Sequence, residues 1–395
     1  MFNNFFYFLW ITLQILIGYN LIMPIVLYII YVCKPKKRPS ATKLVSDTQA
    51  DYAVIVTAYE QTHTLPPVIE SLLQLQYSNY LIYIVADKCD VSNLNFNNDK
   101  VIVLRPPETL ASNTKSHFYA IEHFQRLHDR LTIIDSDNLV KPDYLLELNK
   151  LFDRGYIAVQ GERKAKNLNT TFACLDAARD IYYHFYDGKV LFQIGSSATL
   201  AGSGMAFTVD LYKECLASLT ISGAGFDKVL QKEIVLRKHQ IAFTDLAVVY
   251  DEKTAESDQL VKQRARWINT WFKYSKFGIH ILGKGLLGGN FNQSIFGLIL
   301  LRPPLFIFLL LSILFAAINL FINPLFTIIW LVGLLLFVFG FAIALWSSEV
   351  DERIWKSLIN IPTFIFFQVR SLMKAKNANK HSVATKHSFT ETQKP

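Results

Sequence analysis

From Phe5 to Cys33 the chain is one apolar run, FFYFLWITLQILIGYNLIMPIVLYIIYVC, inside an opening stretch of 33 residues that carries no charged side chain. A bilayer core takes roughly 20 apolar residues of helix, so this run predicts a first membrane span. A cleaved signal peptide would show a basic start, a shorter apolar stretch and a small-residue cleavage site, none of which is present. A second block, Pro303 to Ser348, is uncharged for 46 residues. That is about two spans of ~20 residues, with Asn323-Pro324 as the natural turn. Ser357 to Val369 is uncharged for only 13 residues, closer to an interfacial or re-entrant helix than to a span.

Between these blocks the pattern is that of a globular domain. Ala53–Thr57 is a short β-branched run followed by a polar loop and an apolar-periodic stretch from Pro66 to Leu75, hence strand, loop and helix. Leu81–Ala86, Val101–Leu104 and Leu131–Ile134 repeat the strand pattern, and helical patterns follow at His117–Leu127, from Asp210 and from about Ser257 to Phe277. Strands of this length alternating with helices predict an α/β fold with a mostly parallel sheet covered on both faces. Ligands in such sheets bind outside the carboxyl ends of the strands. Three strands there run into polar residues: Tyr59 and Glu60, Asp87 and Asp90, Asp135 and Asp137. Asp also caps helices and opens turns, which explains any one of these acids but the set much less well.

Composition then sharpens the picture. The formal charge of +8 would suit an anionic partner, nucleic acid or a lipid surface, and the positive mean hydropathy of +0.24 tips that choice toward membrane. Basic residues flank the apolar blocks: Lys34, Lys36, Lys37 and Arg38 follow the first span, and Lys374, Lys376, Lys380, Lys386 and Lys394 stand against Glu391 in the tail. The positive-inside rule then puts both regions in the cytoplasm, the N-terminus outside, and favours three spans, with four as the alternative. Four cysteines without paired spacing exclude a disulfide framework and a zinc site.

The candidate chemistry lies in separated motifs. Asp135-Ser136-Asp137-Asn138 follows an apolar strand, and two acids one residue apart suit Mg²⁺, which takes one or two carboxylates, water and phosphate oxygens. No phosphate loop of the GxxxxGK[ST] type and no GxGxxG after a strand occurs, which excludes P-loop and dinucleotide enzymes. Gln263-Arg264-Ala265-Arg266-Trp267 offers guanidinium groups for phosphate and a flat indole for a sugar ring. The same composition also suits an interfacial helix with snorkelling bases and aromatic anchors. Gly202-Ser203-Gly204 would let backbone approach a sugar closely, and would equally make a tight structural turn.

These motifs together resemble the membrane-embedded family 2 glycosyltransferases, the group of cellulose, hyaluronan and poly-N-acetylglucosamine synthases, over roughly Tyr52 to Trp271. QRARW fits that family's Gln-x-x-Arg-Trp pattern in full. The resemblance implies a GT-A fold with transmembrane helices at both ends and an inverting transfer from a nucleotide-sugar, first of all a UDP-sugar. It implies nucleotide contacts from Tyr59, Asp87 and Lys115, a Mg²⁺ or Mn²⁺ ion on Asp135 and Asp137, diphosphate contacts from Gln263, Arg264 and Arg266, and stacking of the acceptor on Trp267. Gly202, Ser203 and Gly204 fall where relatives have an acceptor-facing loop. Asp227 is the implied general base, although its motif has lost the family's Thr and Glu; Glu233 and Asp245 are outside candidates. Glu60-Gln61 after Tyr59 replaces the family's Asn-Glu, so nucleotide contacts there differ. The acids of Val249–Lys253 read as loop or gating residues.

The implied organisation is an N-terminal transmembrane helix at 1–33, a cytosolic catalytic domain at 34–278, an interfacial segment at 279–302, two transmembrane helices at 303–348, and an interfacial helix with a basic tail at 349–395, in the plasma (inner) membrane. The first function expected is extension of a polysaccharide or glycan, for which three spans make a slim conduit, so export would call for a partner or homo-oligomer. A single transfer to a lipid or polyprenyl phosphate is the alternative. A non-catalytic scaffold is disfavoured by the retained motif acids.

Overall fold

The computed structural model describes residues 2–34, 49–92, 94–221 and 223–378. Lys36, Lys37, Arg38, Lys380, Lys386, Glu391 and Lys394 lie outside the described residues. In chain order the elements are α1 (Phe2–Cys33), β1 (Tyr52–Tyr59), α2 (Leu65–Leu73), β2 (Tyr80–Asp87), β3 (Val101–Leu104), α3 (Asn113–Glu122), β4 (Arg130–Asp135), β5 (Leu139–Val140), α4 (Tyr144–Phe152), β6 (Ala158–Ala165) and α5 (Thr171–Tyr183). A π-helix, His184–Val190, leads into α6 (Leu191–Ile194), β7 (Met205–Thr208), α7 (Val209–Leu216), α8 (Phe226–Leu236) and β8 (Ala242–Asp251). The last part is helical: α9 (Ser257–Tyr274), α10 (Lys276–Leu287), α11 (Phe291–Leu300), α12 (Leu305–Ile322), α13 (Pro324–Trp346), α14 (Glu352–Ser357) and α15 (Ile361–Lys374).

The eight strands form one sheet in the order β3-β2-β1-β4-β7-β6-β8-β5. Its β3-β2-β1-β4 half is parallel, as the alternation of strands and helices predicts, whereas the sheet as a whole is mixed. The physical reason lies in the Gly202–Gly204 loop. It delivers the chain to the carboxyl end of β4, where Gly204 N–H donates to the Ile133 carbonyl at 2.9 Å, so β7 can only run back antiparallel along β4. Strand β1 is buried on both faces. Ala53 and Ile55 join one core with Leu131, Ile133 and Phe207, and Val54 and Val56 join the other with Ile69, Ile82 and Leu145.

Several helix boundaries differ from the sequence pattern. α3 starts four residues before His117 because the Ser112 hydroxyl caps it, and it stops at Glu122, after which the Gln125 N–H donates to the Tyr83 hydroxyl at 2.9 Å. The helix expected from Ser257 to Phe277 breaks at Ser275. α10 turns away there to pack against α11 through Gly278 and Gly297; a Cβ on Gly278 would sit 2.8 Å from the Gly297 carbonyl oxygen.

Among the described residues three helices are long and apolar enough to cross a membrane: Phe5–Cys33, Leu305–Ile322 and Pro324–Trp346. The turn falls at Asn323-Pro324, where the Asn323 side chain accepts the Leu325 N–H at 3.1 Å and Pro324 takes the first helical position. A buried polar clasp joins all three, since Gln14 Oε1 accepts from Asn319 Nδ2 at 2.6 Å and from Trp330 Nε1 at 2.8 Å. Such bonds between apolar helices contribute about 0.6–1.7 kcal/mol each. Replacing Gln14 by Leu strands the Trp330 indole N–H, and the thermal midpoint of the protein in lipid nanodiscs is expected to fall by a few degrees. An unchanged midpoint would contradict the clasp.

Candidate active site

A cavity of about 680 Å³ opens at the carboxyl ends of β1, β4 and β8, with Thr57, Tyr59, Asp135 and Asp251 on its wall. α5, the π-helix, the first turn of α8 and the inner face of α9 close its sides, and residues Arg302–Phe306 border its far end. Of the sequence-derived residues, Tyr59, Asp135, Asp137, Gly202, Asp227, Gln263, Arg264 and Trp267 line this one cavity. Asp87, Lys115, Ser203, Gly204 and Arg266 do not.

The Asp-x-Asp loop is held by a hydroxyl beneath it. Ser203 is fully buried, and its Oγ accepts from the Asp135 N–H at 3.1 Å and from Asn138 Nδ2 at 2.7 Å. Ser203 thus ties the glycine loop to the acidic loop. Gln160 grips the same segment, accepting the Ala201 N–H at 2.9 Å and donating to the carbonyls of Ser203 and Gly204 at 3.1 and 3.2 Å. Gly202 and Gly204 have φ of +89° and +67°, a backbone that favours glycine.

Asp227 sits in the first turn of α8, with its carboxylate 3.0 Å from Lys228 Nζ. Gly225 precedes that helix at φ +102°, and a Cβ there would lie 2.4 Å from the Tyr274 ring, so glycine brings α8 against α9. Glu233 is paired with Lys232 and Arg237, and Asp245 with Lys189, and neither lines the cavity.

Within α9, Gln263 accepts from the Thr254 hydroxyl at 2.9 Å, and Arg264 forms a buried ion pair with Asp176 of α5. Among the described residues Arg264 Nε and Nη1 have no hydrogen-bond partner. The Trp267 indole is 40% exposed, with the Arg264 and Arg179 guanidinium groups 4.0 and 4.5 Å from its ring centre. Arg266 lies off the cavity, and burial lowers its pKa.

Of Tyr59, Asp87 and Lys115, only Tyr59 lines the cavity. Asp87 is buried at the end of β2, where its two oxygens accept the backbone N–H groups of Leu110 at 2.9 Å and Ala111 at 2.7 Å. Its carboxylate thereby fixes the loop after β3. Lys115 is exposed on α3, while its neighbour Asn113 and the loop residue Gln61 do reach the cavity. Glu60 adopts φ +59° and pairs with Lys88 at 2.7 Å.

Sequence reasoning missed a belt of buried charge. Arg179 bridges Asp176 and Asp180, Lys253 bridges Asp180 at 2.5 Å and Asp251 at 2.6 Å, Arg163 pairs with Asp251, and Arg302 with Asp187. All of these line the cavity. Burial works against the charged form of Asp180, but Arg179, Lys253 and Arg163 outweigh it and hold the carboxyl well below the usual range. One signal was available: Asp176, Arg179 and Asp180 at i, i+3 and i+4 put three charges on one face of an otherwise apolar helix.

Two acids on one loop suit a divalent ion of the Mg²⁺ or Mn²⁺ type. Among the described residues no group of three His, Cys, Asp or Glu is gathered for a metal. The hard oxygen donors of Asp135 and Asp137 fit such an ion.

A family model described as "Glycosyltransferase like family 2" matches residues 49–270, more than half of the chain. The protein belongs to that family. A solved structure with a similar fold is the mannosyltransferase PcManGT from Pyrobaculum calidifontis in complex with GDP-Man and Mn²⁺, at 12% identity and TM-score 0.56, covering 91% of this chain and 95% of that one. S. aureus TarS 1–349 in complex with UDP-GlcNAc aligns at 13% identity and TM-score 0.43, over 84% of this chain and 90% of that one. No curated protein matches the chain. The family and the GT-A fold accord with the sequence resemblance, and the chain is a glycosyltransferase.

Two predictions follow from this geometry. Ser203→Ala removes the acceptor for the Asp135 N–H, and the Mn²⁺ concentration needed for half-maximal nucleotide binding should rise about tenfold; an unchanged requirement would contradict the tie. His184, on the cavity wall, is pushed by burial from the ordinary 6.5 down to about 4, against the pull of Asp180. Its stabilising contribution is therefore present above pH 6.5 and lost as pH falls toward about 4, because the unfolded chain takes up the proton first. His184→Gln should make the acid-side fall in thermal midpoint shallower across that window, and an identical slope would count against it.

Proposed function

We propose that the cavity transfers a sugar from a nucleotide-sugar to the hydroxyl of a glycan acceptor, with inversion at the anomeric carbon, on the cytosolic face of a membrane. The observation that carries this reading is the convergence of Asp135, Asp137, Asp227, Arg264 and Trp267 on one cavity. In the proposed step the acceptor oxygen bonds to the anomeric carbon while the bond from that carbon to the diphosphate breaks, its electron pair leaving with the diphosphate. The acceptor proton passes to the Asp227 carboxylate. Gln263 and the unpartnered N–H groups of Arg264 hold the diphosphate, and Trp267 stacks on the acceptor sugar. Asp135 and Asp137 would hold a divalent ion, which would supply neutralisation of the leaving group's charge. Tyr59, Gln61 and Asn113 bind the nucleoside, with Asp87 acting through the loop it fixes.

Topology follows the charge pattern: Lys34 and Lys374 mark cytosolic ends, and the three apolar helices are spans. A second reading, in which the acceptor is lipid-linked, is favoured by Pro303, Pro304, Leu305 and Phe306, which border the same cavity at the start of a candidate span.

Asp227→Asn should lower transfer from UDP- or GDP-sugars by about 10²-fold or more while nucleotide binding survives. Near-normal transfer by this variant would remove Asp227 from its role. Exhaustive chelation should abolish transfer and added Mn²⁺ restore it, measured with radiolabelled donors; full activity in chelator would contradict the role of Asp135 and Asp137.

A further inference from the structure

We infer that the Arg302–Asp187 pair is an acceptor-binding site for a lipid carrying a hydroxylated, uncharged head, a glycolipid rather than a bare lipid phosphate. The inference rests on the glycosyltransferase reading above and names the acceptor class. Arg302 stands immediately before α12, a helix long and apolar enough to cross a membrane, and Asp187 lies in the π-helix. Both are more than nine-tenths buried, and both line the cavity that holds Asp135 and Asp227. Pro303, Pro304, Leu305 and Phe306 continue the wall from Arg302 toward the apolar helix. The cavity wall therefore joins buried charge at Arg302 to apolar residues that lead into α12, matching an amphiphile whose chain leaves along α12.

The chemistry of the pair selects the head. Arg302 donates to Asp187 Oδ2, so the guanidinium is already neutralised, and Asp187 Oδ1 is left buried without a donor. A carboxylate oxygen in that state calls for an O–H. A sugar hydroxyl supplies it, whereas a phosphate would bring a second anion against the carboxylate. The site is anchored on both sides: the Tyr186 hydroxyl donates to the Gly340 carbonyl of α13 at 2.8 Å, and the Arg302 guanidinium lies 5.1 Å from the Tyr183 ring centre. A π-helical turn displaces side chains from ordinary helical register, a device common at functional sites.

The test uses the full chain in lipid nanodiscs and two probes of equal chain length, octyl β-D-glucopyranoside and octyl phosphate, each below its micelle-forming concentration. Binding is read against the double variant Asp187→Asn/Arg302→Gln, which removes both charges together and so leaves neither buried and unpaired. The wild type is expected to bind the glucoside at least about tenfold more tightly than the phosphate, and the double variant to lose about tenfold in glucoside binding. Asp187→Asn alone should lose a similar factor. Mn²⁺-dependent UDP and GDP binding, measured on the same samples, reports on the folded donor site separately: its retention in the double variant assigns the glucoside loss to the pair, and its absence from the wild type would speak against the donor reading alone. A preference for octyl phosphate, or glucoside binding unchanged in both variants, would overturn the inference.

Discussion

The buried ion pair between Asp176 and Arg264 is the contact on which the site depends. Taking two such charges out of water costs several kcal/mol per ion unless each finds a close opposite charge. Asp176 comes from α5 and Arg264 from α9, both almost wholly buried, so neither helix can leave the other without stranding a charge. Their approach sets Trp267 beside two guanidinium groups and holds α9 across the mouth of the sheet. It also spends only part of Arg264, whose Nε and Nη1 stay without partners. A diphosphate would find those donors already oriented, with little ordering left to pay for.

The same logic extends outward through the charge belt. Arg179, Lys253 and Arg163 share buried acids and so couple helix α5 to the strand end of β8, while Arg302 pairs with Asp187 and ties the start of α12 to the π-helix that continues α5. The apolar helices have their own clasp in Gln14, Asn319 and Trp330, and Tyr186 on the π-helix reaches α13. The cavity and the apolar helices are in this way parts of one packed body.

Much of this was legible in the residues, and the reasons it was or was not are specific. Strand β1 reads from sequence because a buried parallel strand is a continuous apolar run, and Asn323-Pro324 reads as a turn because both residues disfavour helix continuation there. Asp135, Asp137 and QRARW stand out because their chemistry is local, and of these residues all but Arg266 and the apolar Ala265 line one cavity. The reversal of β7 did not, since it arises from where a glycine loop meets β4. Asp87 reads from sequence as a strand-end acid, but not as the acceptor of the Leu110 and Ala111 amides, because that role depends on where the loop after β3 returns. The belt's long-range pairs, such as Arg302 with Asp187, were hidden because pairing across such distances leaves no periodic trace, whereas Asp176, Arg179 and Asp180 share one helix face and could have been read.

The central claim is that Arg264, held by Asp176, presents free N–H groups to a metal-bound nucleotide diphosphate. Equilibrium binding of UDP and GDP to the full chain in nanodiscs, with Mn²⁺ and with chelator, compared between wild type and Arg264→Ala, tests it most directly. The account predicts Mn²⁺-dependent binding that weakens by about ten- to a hundredfold in the variant, the range expected for lost hydrogen bonds to a charged group. Nucleotide binding that is absent from the wild type, or equal in the two proteins, would contradict it.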